Sequence, residues 1–311
     1  VKSNEIEISR YDRENEESLQ EAACWEDVHV DVLKMIKEGS RISSYTGKVA
    51  GELMGIATSW KNYFHPYCHY IAMKLSHDCD PSVANALLGQ LESVLSSDIP
   101  MQTSIWESNL RLKLIYEQNG FYEMRKTFMP TLPLRNHRIG CNTTVPNGYI
   151  LLTLQEVSED ICLKEKLIKL VKHTYEETHL ANPVASLSLS RWEGLVFQND
   201  LIKEGSYVLI KEGEPMVYSF LHHGEERIDT CELGWCGAVN HEHMEHLRLI
   251  VSLQLLFSKE YGFTFLQAEA DTTDPFAMHI LASFPFEHGA ALLTFQKQCL
   301  DHGKQTSFDV K

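Results

Sequence analysis

One order of elements, β-α-α-β-β-β-α-β-α-β, reads twice along this chain of 311 residues, and no other feature restricts the fold as strongly. In the first half "EIEISR" alternates as a strand, and the segments around 14–24 and 27–38 have helical periodicity. "SRISSYTGKVAGELMGIATSW" predicts a hairpin turning at Thr46-Gly47-Lys48, and "YCHYIAMKLS" predicts another strand. "VANALLGQLESVLSS" predicts an amphipathic helix, "QTSIW" a strand, "LRLKLIYEQN" a short helix and "FYEMRKTFM" a closing strand. In the second half the same order runs through "YILLTL", "DICLKEKLIKLVKHTYEETH", "SRWEGLVFQ" and the hairpin "SYVLIKEGEPMVYSFLHH", which turns at Glu-Gly-Glu-Pro. It continues through "TCELGWCGAV", "HMEHLRLIVSLQLLFSKEYG", "FTFLQAEA", "PFAMHILASF" and "HGAALLTFQ".

Between the copies lies "MPTLPLRNHRIGCNTTVPNG", residues 129–148, which has three prolines, two glycines and no amphipathic period. The expected division is a first domain over 1–135, a linker over 136–148 and a second domain over 149–311. One large α/β domain is the alternative. Lys+Arg 28 against Asp+Glu 43 gives a net charge of −15, which argues against nucleic acid as a partner, because phosphate binding needs clustered cations. The opening Val-Lys-Ser-Asn-Glu precedes no apolar run, so no signal peptide is expected. No stretch approaches the ~18 apolar residues of a membrane span. The cysteines (Cys24, Cys68, Cys79, Cys141, Cys162, Cys231, Cys236 and Cys299) lack C-x-x-C spacing and read as reduced, cytoplasmic thiols.

The stretch that asks for a chemical explanation is "SIWESNLRLKLIYEQNGF", residues 104–121. Asn109 stands where a helix would start, Tyr116 on its inner side, and Gly120-Phe121 where it would end. This motif and the repeated element order resemble the GNAT superfamily of N-acyltransferases. The residue-level match covers roughly 104–126, and the element order covers nearly the whole chain. The resemblance implies an α/β fold, an α+β mixed sheet in each of two tandem GNAT-like domains. It also implies transfer of an acetyl group from acetyl-CoA to an amine. Tyr116 would protonate the departing thiolate, since a tyrosine with a pKa near ~10 keeps its proton at neutral pH. Asn109 would cap the helix. The bland alternative is that Tyr116 is a core aromatic whose hydroxyl has found a partner. In the second half Asp274 and Phe286 stand where Asn109 and Phe121 stand in the first; the same spacing puts Leu281 opposite Tyr116 and Pro285 opposite Gly120. Leucine donates no proton, so the second domain is expected to be a degenerate copy.

The resemblance further implies a pyrophosphate held by backbone N–H groups after the fourth strand, normally on a Gln/Arg-x-x-Gly-x-Gly/Ala pattern. Here "CDPSVANALL" puts Cys79 at the Gln/Arg position, Ser82 at the first glycine and Ala84 at the last. Val83, Ala84 and Asn85 would offer amides, while Asp78 and Asp80 bring adverse charge and Lys74 is the available cation. Met73 and Leu75 would pair by their backbones with the pantetheine arm. In the second half "NHEHMEHLRL" sets Glu242, Glu245 and Leu247 at the motif positions, so nothing of the pattern survives.

Other constellations compete. His241, His243 and His246 lack H-E-x-x-H spacing and read as a polar turn before a helix. Cys68 and His69 are adjacent on a strand and face opposite ways, so they form no dyad. Glu107, His69, Tyr70 or water would remove the amine proton. The catalytic set is then Tyr116, Asn109 and Glu107, and the donor-binding set Met73, Leu75, Ser82, Val83, Ala84, Asn85, Asn109 and Tyr116. No metal, nucleic acid or membrane is expected. A small-molecule amine is the expected acceptor, and a homodimer stays open. The rival class is a non-catalytic acyl-CoA-binding or interaction module that kept the fold.

Overall fold

The computed structural model describes residues 5–11, 25, 32–38, 41–135, 143–224 and 227–298. The expected helix around 14–24, the start of the one expected over 27–38, and residues 136–142 of the linker lie outside these residues. The chain divides into two compact units: unit 1 is Val1–Arg125, Asn182–Ala185 and Leu292–Lys311, and unit 2 is Lys126–Ala181 and Ser186–Ala291.

Unit 1 is built on strands β1 (Ile6–Arg10), β2 (Arg41–Val49), β3 (Glu52–Trp60), β4 (His69–Leu75), β5 (Met101–Trp106) and the start of β6 (Tyr122–Phe128). Its helices are α1 (Val32–Glu38), α2 (Pro81–Val94) and α3 (Leu110–Gln118). The β2–β3 hairpin turns at Ala50-Gly51, with φ of 52° and 87°, and not at Thr46-Gly47-Lys48 as expected. A two-residue hairpin loop of type I′ has positive φ at both positions, and Ala50-Gly51 supplies it. Gly47 instead lies inside β2, where a Cβ would come within 2.6 Å of Val83 Cγ1. Its missing side chain lets α2 pack down on the sheet.

That helix follows from its spacing. Val83, Ala84, Leu87, Leu88 and Leu91 recur every three or four residues and are all buried, after Asp80 as N-cap and Pro81 in the first turn. With α3 and β4 they form one core; Val32, Ile36, Ile56 and Ala72 form a smaller one on the α1 side.

Unit 2 contains β7 (Thr131–Pro133), β8 (Tyr149–Thr153), α4 (Leu154–Glu159), α5 (Ile161–Thr178) and α6 (Leu189–Val196). The hairpin strands β9 (Tyr207–Lys211) and β10 (Glu214–His223) follow, turning at Glu212-Gly213 as expected, then β11 (Thr230–Ala238) and α7 (Glu245–Tyr261). The unit closes with β12 (Phe265–Ala268), the two-residue β13 (Ala270–Asp271) and α8 (Pro275–Ser283). The sheet order is β7-β12-β11-β10-β9-β8. The end of β6 belongs to this unit and pairs with β13 through Phe128↔Ala270.

The last strand, β14 (Ala291–Lys297), pairs antiparallel with β5 from Leu292↔Trp106 to Lys297↔Met101. The order in unit 1 is therefore β1-β2-β3-β4-β5-β14-β6. Conversely, Thr131-Leu132-Pro133, inside the proline-rich stretch 129–148 and expected to end the first domain, is a strand that pairs with β12 of unit 2. Proline is tolerated there because β7 is an edge strand. Each unit thus closes its sheet with a strand drawn from the other half of the sequence.

Candidate functional site

β4 and β5 run parallel, yet pair only at His69↔Met101 and Tyr70↔Gln102. β4 continues to Leu75 and β5 to Trp106, so beyond Tyr70 the strands fork. Backbone groups facing such a gap are open to an added extended chain.

Tyr116 reaches this fork from α3. Asn109 caps the helix, its Oδ1 accepting from the Leu112 N–H at 3.0 Å. At the other end Gly120 adopts φ 82°, the Gly120 N–H donates to the Glu117 carbonyl and the Phe121 N–H to the Tyr116 carbonyl. This is the left-handed helix stop that glycine favours, with its usual apolar contact: the Tyr116 and Phe121 rings meet edge-on at 5.2 Å. The spacing of Tyr116, Gly120 and Phe121 is therefore the geometry of a helix end, and it fixes the depth of the tyrosine.

Tyr116 is wholly buried, and its hydroxyl bridges the diverging strands. Thr103 Oγ1 on β5 donates to it at 3.5 Å, and the Met73 backbone on β4 bonds to it as well. Burial pushes its pKa up to about 12, against the opposing pull of the Thr103 and Met73 bonds. The group is a proton donor and never a base near neutral pH.

At the wide end of the fork, the start of α2 is already occupied. Asp80 Oδ1 accepts from the Ser82 N–H at 2.8 Å and from the Ser82 hydroxyl; the Asp80 carbonyl accepts from the Val83 N–H. The bonds from the Ser82 hydroxyl and N–H hold the Asp80 carboxyl below its usual range. Val83 and Ala84 turn their side chains into the core, and exposed Asn85 accepts from Asn119 Nδ2 at 2.8 Å. Met73 and Leu75 are buried on β4. Lys74, the cation expected to offset the acids, lies in the β3–β4 ladder opposite Ile56. The cation bonded to the loop is Arg111: Nη1 donates to the carbonyls of Ser76 (2.8 Å) and His77 (3.1 Å), and Nη2 to that of Cys79. Sequence reasoning passed over Arg111, although a cation in the first turn of a helix, against its dipole, was a visible signal.

Of the residues considered for proton removal, Glu107 is exposed in the turn between β5 and α3. His69 is buried, and both ring nitrogens lack a hydrogen-bond partner among the described residues. Burial, and then the charge of Lys61, lower its pKa, so the imidazole is neutral. Tyr70 accepts from Asn182 Nδ2 at 2.8 Å, and burial raises its pKa. Cys68 lies just before β4; its thiol donates to Gln102 Oε1, and Gln296 Nε2 donates to its sulfur at 3.2 Å.

Unit 2 repeats the fork without the hydroxyl. β11 pairs with β12 from Thr230↔Phe265 to Leu233↔Ala268 and then continues to Ala238 paired with β10. Leu281, in the place of Tyr116, packs against the core. Asp274 caps α8, Oδ1 accepting from the N–H groups of Phe276 (2.8 Å) and Ala277 (3.2 Å), and burial pushes its carboxyl up to about 6. In "HEHMEH", His243 Nδ1 bonds Asn240 Oδ1 at 2.6 Å and Tyr149 packs edge-on against His246. Among the described residues no group of three His, Cys, Asp or Glu is placed to hold a metal ion, and no helix is long and apolar enough to cross a membrane.

Two mixed sheets, each forked between its parallel strands and closed by helices, define a tandem GNAT-type fold. A GCN5-related N-acetyltransferase from Sphaerobacter thermophilus is similar over 96% of this chain and 97% of its own, with a TM-score of 0.60 and 10% identity. A tandem GNAT protein from the clavulanic acid biosynthesis pathway is similar over 95% of this chain and 99% of its own (TM-score 0.54, 12% identity). A GNAT-family acetyltransferase from Colwellia psychrerythraea covers 94% of this chain at a TM-score of 0.50 and 10% identity. At such identities the likeness is one of fold. No protein-family model matches the chain, and no curated protein matches it by sequence.

Proposed function

We propose that this protein transfers an acyl group from a thioester to an amine, with acetyl-CoA as donor and a small molecule as acceptor, and that unit 1 carries the reaction. The observation that carries the reading is the Tyr116 hydroxyl at the fork, bridging Met73 on β4 and Thr103 on β5. An extended pantetheine arm fits between diverging strands because the backbones of Met73 and Leu75 can pair with it as an added strand does. The amine attacks the thioester carbonyl as its free base, and a β4 N–H facing the fork stabilises the oxyanion. When the adduct collapses, the C–S bond breaks and the Tyr116 O–H gives its proton to the thiolate. Asn109 acts by holding α3 in place, and Glu107 is the exposed carboxylate beside the fork that would take the amine proton. Tyr70, Asn182 and Gln102 form a polar wall on the opposite face, where the acceptor would approach.

A specific observation favours the second reading, a non-catalytic acyl-CoA-binding or interaction module: the Asp80 carboxylate already occupies the Ser82 amide. The two readings part in one assay. The intact protein is incubated with acetyl-CoA and a panel of amines, and thiol release is followed for the native protein and for Tyr116→Phe. Release that depends on both the amine and the hydroxyl supports transfer. Acetyl-CoA binding without release, across amino acids, polyamines and amino sugars, supports the module.

A further inference from the structure

The fork of unit 1 closes at Tyr70↔Gln102, its last paired rung, and Thr103, which bonds the Tyr116 hydroxyl, is the next residue of β5. Ile71, Met73 and Leu75 turn into the core with Tyr116, so Tyr70, one step out of phase with them, projects from the other face of the sheet. From that face an amine approaches a thioester held between the strands. Trp60 stacks on the Tyr70 ring at 5.8 Å between centroids and holds it.

Hydrogen bonding at the Tyr70 hydroxyl is one-sided. Asn182 Nδ2 donates to the phenol oxygen at 2.8 Å, and no described residue accepts the phenol's own proton. Burial raises the pKa of Tyr70, so that proton is retained. Asn182 belongs to unit 1 through the segment Asn182–Ala185. The segment is anchored at both ends: the Ala185 N–H donates to the Phe64 carbonyl at 2.8 Å, and His65 Nδ1 donates to the Asn182 carbonyl at 2.8 Å. Asn182 is only 7% exposed, yet its Oδ1 has no partner among the described residues. A buried oxygen left unmatched is a cost to folding. Here it accompanies an amide whose donor end is committed to one phenol, the kind of rigid support that presets a functional group.

Resting on the acyl-transfer reading above, we propose that Tyr70 recognises the acceptor: its O–H donates to an oxygen on the carbon next to the reacting amine, and Asn182 is the positioning residue that aims it. The acceptor class is then an amine with a neighbouring oxygen, as in amino alcohols, amino sugars and amino acids, in preference to a simple alkylamine. A tyrosine hydroxyl stands a full ring away from its strand, so it meets an atom a few bonds along the acceptor from the nitrogen at the vertex. Donation from Asn182 to the phenol oxygen also polarises the O–H and strengthens its own donation.

The test measures kcat/KM for thiol release from acetyl-CoA by the full chain with two matched pairs of amines: ethanolamine against propylamine, and glucosamine against cyclohexylamine. Rates are expressed per free base, because the oxygen lowers the basicity of the amine. The native protein prefers the oxygen-bearing member of each pair by about tenfold, the effect of one hydrogen bond. Tyr70→Phe brings that ratio to within about twofold of unity and changes the KM for acetyl-CoA by less than about twofold. Asn182→Asp gives an independent measure if Tyr70→Phe fails to fold: its carboxylate accepts the phenol proton, so the contact with Tyr70 survives while the preference for oxygen is lost. A native ratio near unity overturns the proposal and leaves acyl transfer standing. A preference that persists in Asn182→Asp also overturns it, showing that Asn182 only packs against Tyr70. If no amine of either pair releases thiol, the acyl-transfer reading falls and the proposal with it.

Discussion

Unit 1 and unit 2 have the same fork and the same capped helix beside it, and they differ in what enters the fork. In unit 1 an amide caps the helix and a buried hydroxyl stands between the strands; in unit 2 a carboxyl caps the helix, and the same helix position holds the partly buried Leu281. The fork and the cap are products of folding: parallel strands that twist apart, and a side chain that satisfies the first N–H groups of a helix. The hydroxyl is the part the fold does not require, since the residue seven positions after the cap in unit 2 is Leu281, a partly buried side chain packed against the core. The comparison teaches that architecture alone does not assign chemistry to either unit, and that Tyr116 is where the two diverge.

The largest expected effect tests whether the units are separable along the sequence. Expressed alone, residues 1–135 lack β14, so β5 and β6 lose the strand between them. That fragment is expected to show no cooperative thermal transition by circular dichroism, and fusing 286–298 to its end through a flexible linker should restore one. A cooperative melt of the bare fragment would refute the strand assignment. Next, Tyr116→Phe is expected to lower kcat by about 10²- to 10⁴-fold with donor affinity nearly unchanged, the range for loss of a general acid. Leu281→Phe should leave kcat within about twofold. Full activity of Tyr116→Phe would make the two forks chemically equivalent.

Acid titration should separate the units by sign. Burial lowers the pKa of His69, so the unfolded chain gains a proton below about 6.5 while the native imidazole resists it; unit 1 loses stability as pH falls through that value. Asp274 behaves oppositely. Its carboxyl is pushed up to about 6, so its favourable contribution is complete below the unfolded value near ~3.9 and is lost as pH rises through 6. Urea unfolding between pH 4 and 7 should show His69→Leu removing the first dependence and Asp274→Asn the second, the latter by up to about 3 kcal/mol. An unchanged pH profile in both variants would remove the contrast. The smallest effect is at the cap: Asn109→Ala should cost about 1 kcal/mol, while Asn109→Asp, which copies the cap of unit 2, should cost less than about 0.5 kcal/mol. Equal costs would show that the side-chain oxygen of Asn109 contributes little.

Much of this was legible in the sequence because it is local. The helix from Leu110 to Gln118 could be read from Asn109, the inner Tyr116 and Gly120-Phe121, and these same residues form its cap and its stop. The hairpin at Glu212-Gly213 announced itself by turn chemistry. The other hairpin did not, because Gly47 looks like a turn glycine but exists to let Val83 approach. Prolines made Thr131-Leu132-Pro133 resemble a linker, whereas at a sheet edge they are admissible. The pairing of β14 with β5 left no local sign, since a closing strand reads the same whichever sheet it joins. Nor could the three carbonyls gathered by Arg111 be foreseen, because they come from a loop about 30 residues earlier in the chain.

The position of β14 also sets an order of events during synthesis. Unit 1 begins with the first described residues, but its sheet has an interior gap until residues 291–297 have left the ribosome. Through most of translation the forming sheet presents β5 and β6 with an unfilled row of backbone groups, the kind of edge that recruits other strands. Unit 2 needs nothing beyond Ala291, so the unit begun second can be finished first. A nascent chain stalled shortly before residue 291 should therefore be protease-sensitive within 41–128 and become protected only after the last strand is released.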